Sequence, residues 1–226
     1  MRRRPLAWLR RWAIRLVLLV IVLVVGLVAA HSVINPGKTP YMRIEARRLG
    51  GIDNIWTPMN AIAPVMARSV VAAEDANFCL HWGFDVDAIR LALEEGGGRG
   101  ASTISQQVVK NMYLWQGRSW PRKALEAILT PLVEAFWTKR RIIEVYLNIA
   151  EFDKGIFGVD AAAEHYFGVS PAELTPLQAA RLAAVLPNPK ARSASQPSKR
   201  TARRARTIVD GAETIRRDGR AACFED

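Results

Sequence analysis

Cysteine and histidine are scarce in this chain, with two cysteines and three histidines among 226 residues. Neither cysteine has metal-ligand spacing, which leaves a structural zinc site without support. Cys79 and Cys223 allow a single pairing, and an exported chain would permit it, but the residues alone favour two free thiols. No Ser-x-x-Lys occurs, so a serine acyl-transfer site of that type has no candidate nucleophile. Gly37-Lys38-Thr39 lacks the glycine five residues earlier that a Gly-x-x-x-x-Gly-Lys-Ser/Thr phosphate loop requires, position 32 being serine, so nothing points to a bound nucleotide. No convincing alternating strand and no internal repeat are present, and the apolar spacing is helical, so an all-α fold is expected. Acidic residues are also few, 21 against 32 lysines and arginines, a formal charge of +11.

The excess charge sits at the ends. Six arginines lie in residues 1–15, and a second basic run extends from Lys190 to Arg220. Such ends suit nucleic acid or an anionic lipid surface. The apolar run Leu16–Ala30, extending over Trp12–Ile34 with Arg15 and His31 as interruptions, favours the membrane. A helix needs about 20 residues to span a bilayer, and the arginines before it put the N-terminus on the cytoplasmic side. The competing reading is a signal peptide cleaved after Val28-Ala-Ala30; the run's extension on both sides favours a retained anchor. The chain divides into a basic segment (1–11), an anchor (12–34), a linker (35–55), a catalytic domain (56–190) and a basic C-terminal segment (191–226).

Turn signals at Asn35-Pro-Gly37, Thr39-Pro40 and Gly50-Gly51 make the linker weakly structured. Asn60 is placed to cap a first helix ending near Glu74. Asp85 is placed to cap a second, with Val86, Ile89 and Leu93 inward and Gly96-Gly-Gly98 as its stop. A third begins near Ser102. Leu125, Ile128, Leu129, Leu132, Val133 and Phe136 form an apolar stripe on a fourth, interrupted by Pro131. Lys139–Ala150 forms a fifth. Thr175-Pro-Leu-Gln178 is a capping box that opens a helix ending before Pro187. Thr201–Arg217 reads as a surface helix with a fraying tail.

Gly100-Ala-Ser-Thr-Ile-Ser-Gln-Gln-Val-Val-Lys-Asn111 carries the most chemistry. Ser102, Gln106 and Lys110 are four residues apart, which on a helix makes one face of hydroxyl, amide and ammonium, suited to a polyanion. Upstream stands Glu74-Asp75-Ala-Asn-Phe78-Cys-Leu-His81-Trp-Gly83; downstream stands Arg122-Lys123-Ala-Leu-Glu126; then Lys139 with Ile142, Ile143, Glu144, Tyr146, Leu147 and Asn148. A lone glutamate or a lone pair of cations would mean little; in this order they resemble the four motifs of the peptidoglycan glycosyltransferase family, from about Trp56 to Pro189.

The resemblance implies a lysozyme-like helical domain. It implies Glu74 as general base, deprotonating the acceptor sugar's 4-hydroxyl, with Glu126 also in the active site. It implies Ser102, Lys110 and Arg118 on the donor's pyrophosphate, with Gln106, Gln107, Asn111, Arg122 and Lys123 shaping the same cleft. Glu126 is open to two roles: holding a divalent cation, Mg²⁺ or Mn²⁺, at the pyrophosphate, or orienting Arg118 and Arg122. Asp75 and His81 read as capping or loop-fixing groups. Glu144 reads as a partner of Arg140 or Arg141, and Asn148 as a clamp on the loop after its helix. Met112–Trp115 and Trp120 suit either a membrane interface or the core.

The implied reaction polymerises lipid II onto a growing glycan strand, without nucleotide and without transpeptidation. The implied partners are the membrane and cell-wall synthesis complexes, not nucleic acid. The implied place is the inner membrane, with the domain in the periplasm. Two rivals stand beside it. A lysozyme-like hydrolase would use Glu74 but has no need of Lys110 and Arg118. A non-enzymatic anchored binder of anionic polymer would leave the central motifs without work.

Overall fold

The computed structural model describes residues 4–94, 96, 102–117 and 119–225. Gly100, Arg118 and the expected stop at Gly97-Gly98 lie outside the described residues. The first helix, α1 (Arg4–Ala30), contains the stretch Ala7–Ala30, of mean hydropathy 3.0 and almost wholly bare, long and apolar enough to cross a membrane. Its far end is docked on the domain. Val28 is buried and its carbonyl accepts the Trp137 indole N–H at 2.7 Å. The Arg141 guanidinium donates to the carbonyls of His31 at 3.1 Å and Ile34 at 2.9 Å, a cation at a helix C-terminus.

The linker is more ordered than its turn residues suggest. Thr39 caps α2 (Pro40–Leu49), with proline in the first turn and Gly50 closing it in the left-handed region at φ +80°. The next helix, α3, spans Pro64–Glu74 and does not start at Asn60, which lies in the 3-10 turn Met59–Ala61. Pro64 disfavours helical backbone at Ala63, which is extended (φ −54°, ψ 127°), so the helix begins at the proline. Asp85 caps α4 (Val86–Glu94) as expected, its Oδ1 accepting the Ala88 N–H at 2.9 Å. The inward face differs: Val86 and Leu93 are exposed and Ala92 is buried.

Helix α5 (Ile104–Tyr113) is the centre of the core, with Ile104, Val108 and Val109 fully buried. It packs against α6 (Trp120–Phe136) and α7 (Lys139–Ile149). Helix α6 runs through Pro131, and of its apolar stripe Val133 is fully buried, while Leu125, Ile128 and Phe136 are exposed beside Trp120, which is 89% exposed. Met112 and Leu114 enter the core while Trp115 faces out, so that segment serves both environments. A short antiparallel hairpin, β1 (Glu151–Asp153) with β2 (Ile156–Phe157), interrupts the helices. It is too short for alternation to register. Helices α8 (Val159–Phe167) and α9 (Pro176–Val185) follow, the latter opened by the Thr175–Gln178 capping box.

The C-terminal segment belongs to the packed body. Helix α10 (Lys199–Arg217) buries Thr201, Ala205, Ile208, Ala212 and Ile215 against α3 and α9. Beyond it the tail does not fray: Phe224 on α11 (Ala222–Glu225) is fully buried. The expectation of free thiols is also corrected. Cys79 and Cys223 form a disulfide, with Cα atoms 5.7 Å apart, because α10 returns the end of the chain to the loop after α3.

Candidate active site

Glu74 is the last residue of α3, and Thr103 caps α5 opposite it. Thr103 and Gln106 form a capping box: the Gln106 N–H donates to Thr103 Oγ1 at 3.3 Å, and the Thr103 N–H to Gln106 Oε1 at 3.1 Å. Ser102 therefore precedes the helix and does not share its face with Gln106 and Lys110. Asp75 joins the two segments. Its Oδ2 accepts the Ile104 N–H at 2.9 Å and its Oδ1 contacts His81 Nε2 at 2.8 Å. Both residues fix the loop, as expected of them. Glu144 pairs with Arg141 at 2.6 Å. Asn148 clamps Thr57 before α3, through bonds of 2.7 and 2.9 Å, and not the loop after its own helix.

Between these elements opens a cleft of about 800 Å³. It brings together Glu74, Ser102, Gln106, Gln107, Lys110, Arg122, Lys123 and Glu126. Asn111 does not line it; its Oδ1 accepts from Gln116, whose own side chain does. Arg118 is outside the described residues. The sequence reading missed Leu186, Pro187 and Arg204 on the opposite wall. The signal for Arg204 was present: Thr201, Ala205, Ile208 and Ala212 form a buried stripe at helical spacing, and Arg204 stands at its edge.

Burial pushes the Glu74 carboxyl above the ordinary carboxylate range, while Gln107, Arg204 and Arg192 pull it back. Gln107 Nε2 donates to Glu74 Oε2 at 3.2 Å. Burial likewise lowers Lys110, whose ammonium faces the cleft with Glu126 partly compensating and Arg122 and Lys123 adding to the shift. The cleft thus brings a carboxylate of raised pKa together with the cations Lys110, Arg122, Lys123 and Arg204.

Glu126 is buried between cations. Its Oε2 accepts from Arg122 at 2.6 Å and its Oε1 from Lys123, which also reaches Ser102 Oγ at 3.4 Å. With both oxygens held and Lys110 close, this donor set fits ion pairing rather than a resident divalent cation. Asp75, His81 and Asp85 also gather ligand-type atoms within 4.8 Å of one another. The carboxylate oxygens are engaged by Ile104, Asn77 and Ala88, which fits a loop latch, while His81 Nδ1 is buried without a hydrogen-bond partner among the described residues.

The helical domain thus presents one cleft in which a largely buried carboxylate meets several cations. Residues 44–213 match the family described as Transglycosylase, and the chain belongs to that family. It is 59% identical to the biosynthetic peptidoglycan transglycosylase of Jannaschia sp., over 96% of this chain and 90% of that one. It is 49% identical to the protein of that name from Caulobacter vibrioides, over 92% and 94%. For the one from Rhodospirillum centenum the figures are 48%, over 90% of each chain. The fold is of the lysozyme-like class that the motifs implied.

Proposed function

We infer that this chain is a peptidoglycan glycosyltransferase that joins the disaccharide units of lipid II into β-1,4 glycan strands and releases undecaprenyl pyrophosphate. The observation that carries the reading is the single cleft shared by the largely buried Glu74 and the cations Lys110, Arg122 and Lys123. Glu74 takes the proton from the acceptor's 4-hydroxyl as that oxygen bonds to the donor's anomeric carbon. The bond from that carbon to the pyrophosphate oxygen breaks in the same displacement, and the anomeric centre inverts. Negative charge gathers on the leaving oxygen, where Lys110, Lys123, Ser102 and Arg118 supply cations and donors. Glu126 keeps Arg122 and Lys123 ordered from beneath. Gln106 and Gln107 hold the loop and the base.

The anchor sets the reaction at a membrane face. Its leading arginines stay in the cytoplasm, so the domain stands in the periplasm on the inner membrane. Exposed Trp120, Leu125 and Ile128 on α6 suit the interfacial zone. The growing strand, lipid II and cell-wall synthesis complexes are the partners this placement serves. A divalent cation is not required by the donor set at Glu126.

The test is incubation of detergent-purified full chain with labelled lipid II. High-molecular-weight glycan that is degraded by lysozyme is expected. Cleavage of preformed glycan without polymerisation would instead favour a hydrolase.

A further inference from the structure

Helix α10 lies unusually near the catalytic end of α3. A Cβ placed on Gly211 would stand 3.1 Å from the Ala72 Cβ, tighter than most such contacts, and Ala205 is fully buried beneath the same helix. This register delivers Arg204 to the end of α3. Its Nη2 donates to the Ala73 carbonyl at 3.0 Å and reaches Glu74 Oε1 at 3.5 Å. Gln107, from α5, holds the other carboxylate oxygen.

We infer that Arg204 is a positioning residue for Glu74: with Gln107 it grips the carboxylate one oxygen at a time and keeps it turned into the cleft. The inference rests on Glu74 being the base. The Ala73 carbonyl anchors the guanidinium independently of Glu74, so the cation stays in place through the cycle. Among described residues, the other ionisable groups facing Glu74 are Asp75 at the cap of α3, Lys110 on α5, Tyr146 on α7 and Arg192 after α9. Asp75 opposes the carboxylate; Arg192 and Lys110 favour it at longer range. Arg204 makes the one direct ionic contact with Glu74 among the described residues, at an exposure that leaves it partly screened. Its attraction weakens when Glu74 is protonated, which favours return of the carboxylate before the next transfer.

The experiment follows kcat/KM for lipid II polymerisation against pH in full-length wild type, Arg204→Gln and Arg204→Lys, with thermal unfolding measured beside it. Arg204→Gln should lose on the order of tenfold at the acid end of the profile, with the gap narrowing toward alkaline pH. Arg204→Lys should recover most of that loss, since charge at the carboxylate is the agent. A loss equal at every pH, an unchanged profile, or a lysine variant no better than glutamine would overturn the inference. The lysine variant also carries the test if the glutamine one is unstable. Wild type unable to polymerise lipid II would remove the underlying reading, a result separable from any of these.

Discussion

Asp75 Oδ2 accepts the Ile104 backbone N–H at 2.9 Å, tying the residue after the base to the first turn of the helix that carries Lys110. A carboxylate at a helix N-terminus meets both an unsatisfied donor and the positive end of the dipole. Relative placement of Glu74 and Lys110 therefore runs through this bond. Asp75→Ala should lower stability by roughly 1–3 kcal/mol, the cost of leaving buried partners unmade, and should reduce turnover as well. Chemical denaturation with rate measurements on one preparation checks both; unchanged turnover in a destabilised protein would mean that the alignment does not depend on Asp75.

Glu74→Gln should lose about 10²–10⁴-fold in polymerisation rate, without loss of stability. Burial raises the Glu74 pKa, so the folded state holds its proton more tightly than the unfolded chain. That contribution to stability is present at low pH and lost as pH rises through the folded value. At neutral pH the variant should then unfold at the same or a higher temperature than wild type, and the difference should close on acidification. Melting curves over a pH series read this directly.

Lys110→Met should also separate activity from stability. Its pKa is lowered by burial, so the charged form is disfavoured in the fold and the penalty lifts only at alkaline pH. Removing the ammonium should leave thermal stability at neutral pH equal or improved. Loss of one donor to the leaving group should cost roughly 3 kcal/mol of transition-state stabilisation, on the order of 10²-fold in rate. A variant that is both inactive and largely unfolded would assign Lys110 a structural role.

Replacing Cys79 and Cys223 together by serine should lower unfolding free energy by about 2–5 kcal/mol, since the bond closes a loop of 144 residues. A thiol reductant should reproduce that shift in wild type and leave the double variant unaffected. Equal denaturation midpoints in oxidised and reduced wild type would mean that the bond contributes nothing to the fold.

Helices with their own caps are legible in the sequence. Thr175–Gln178 and Asp85 announce their helices by side-chain chemistry that acts within four residues. The Asn60 start failed because a stronger local constraint, Pro64, lies just beyond it. Val86 and Leu93 were misplaced because apolar spacing on a helix does not say whether the face meets core or membrane. The cleft's composition followed from ordered motifs, yet Ser102 fell off the helix because Thr103 and Gln106 made the better cap. The stripe that Arg204 borders is legible at helical spacing, but its meeting with Glu74 and the disulfide were beyond reach for one shared reason. Both depend on α10 folding back over more than a hundred residues to meet α3, and no local pattern encodes that return.

The Cys79–Cys223 bond also bears on how the enzyme is made. Cys79 leaves the ribosome 144 residues ahead of its partner. During that interval it is an unpaired thiol beside the catalytic loop, open to other chains or small oxidants. With two cysteines in the chain there is a single intramolecular bond to form and no wrong one to undo. Maturation therefore calls for an electron acceptor but not for a disulfide-shuffling catalyst. A host with a weak oxidase system would yield a protein whose C-terminal helix lacks its covalent fastening.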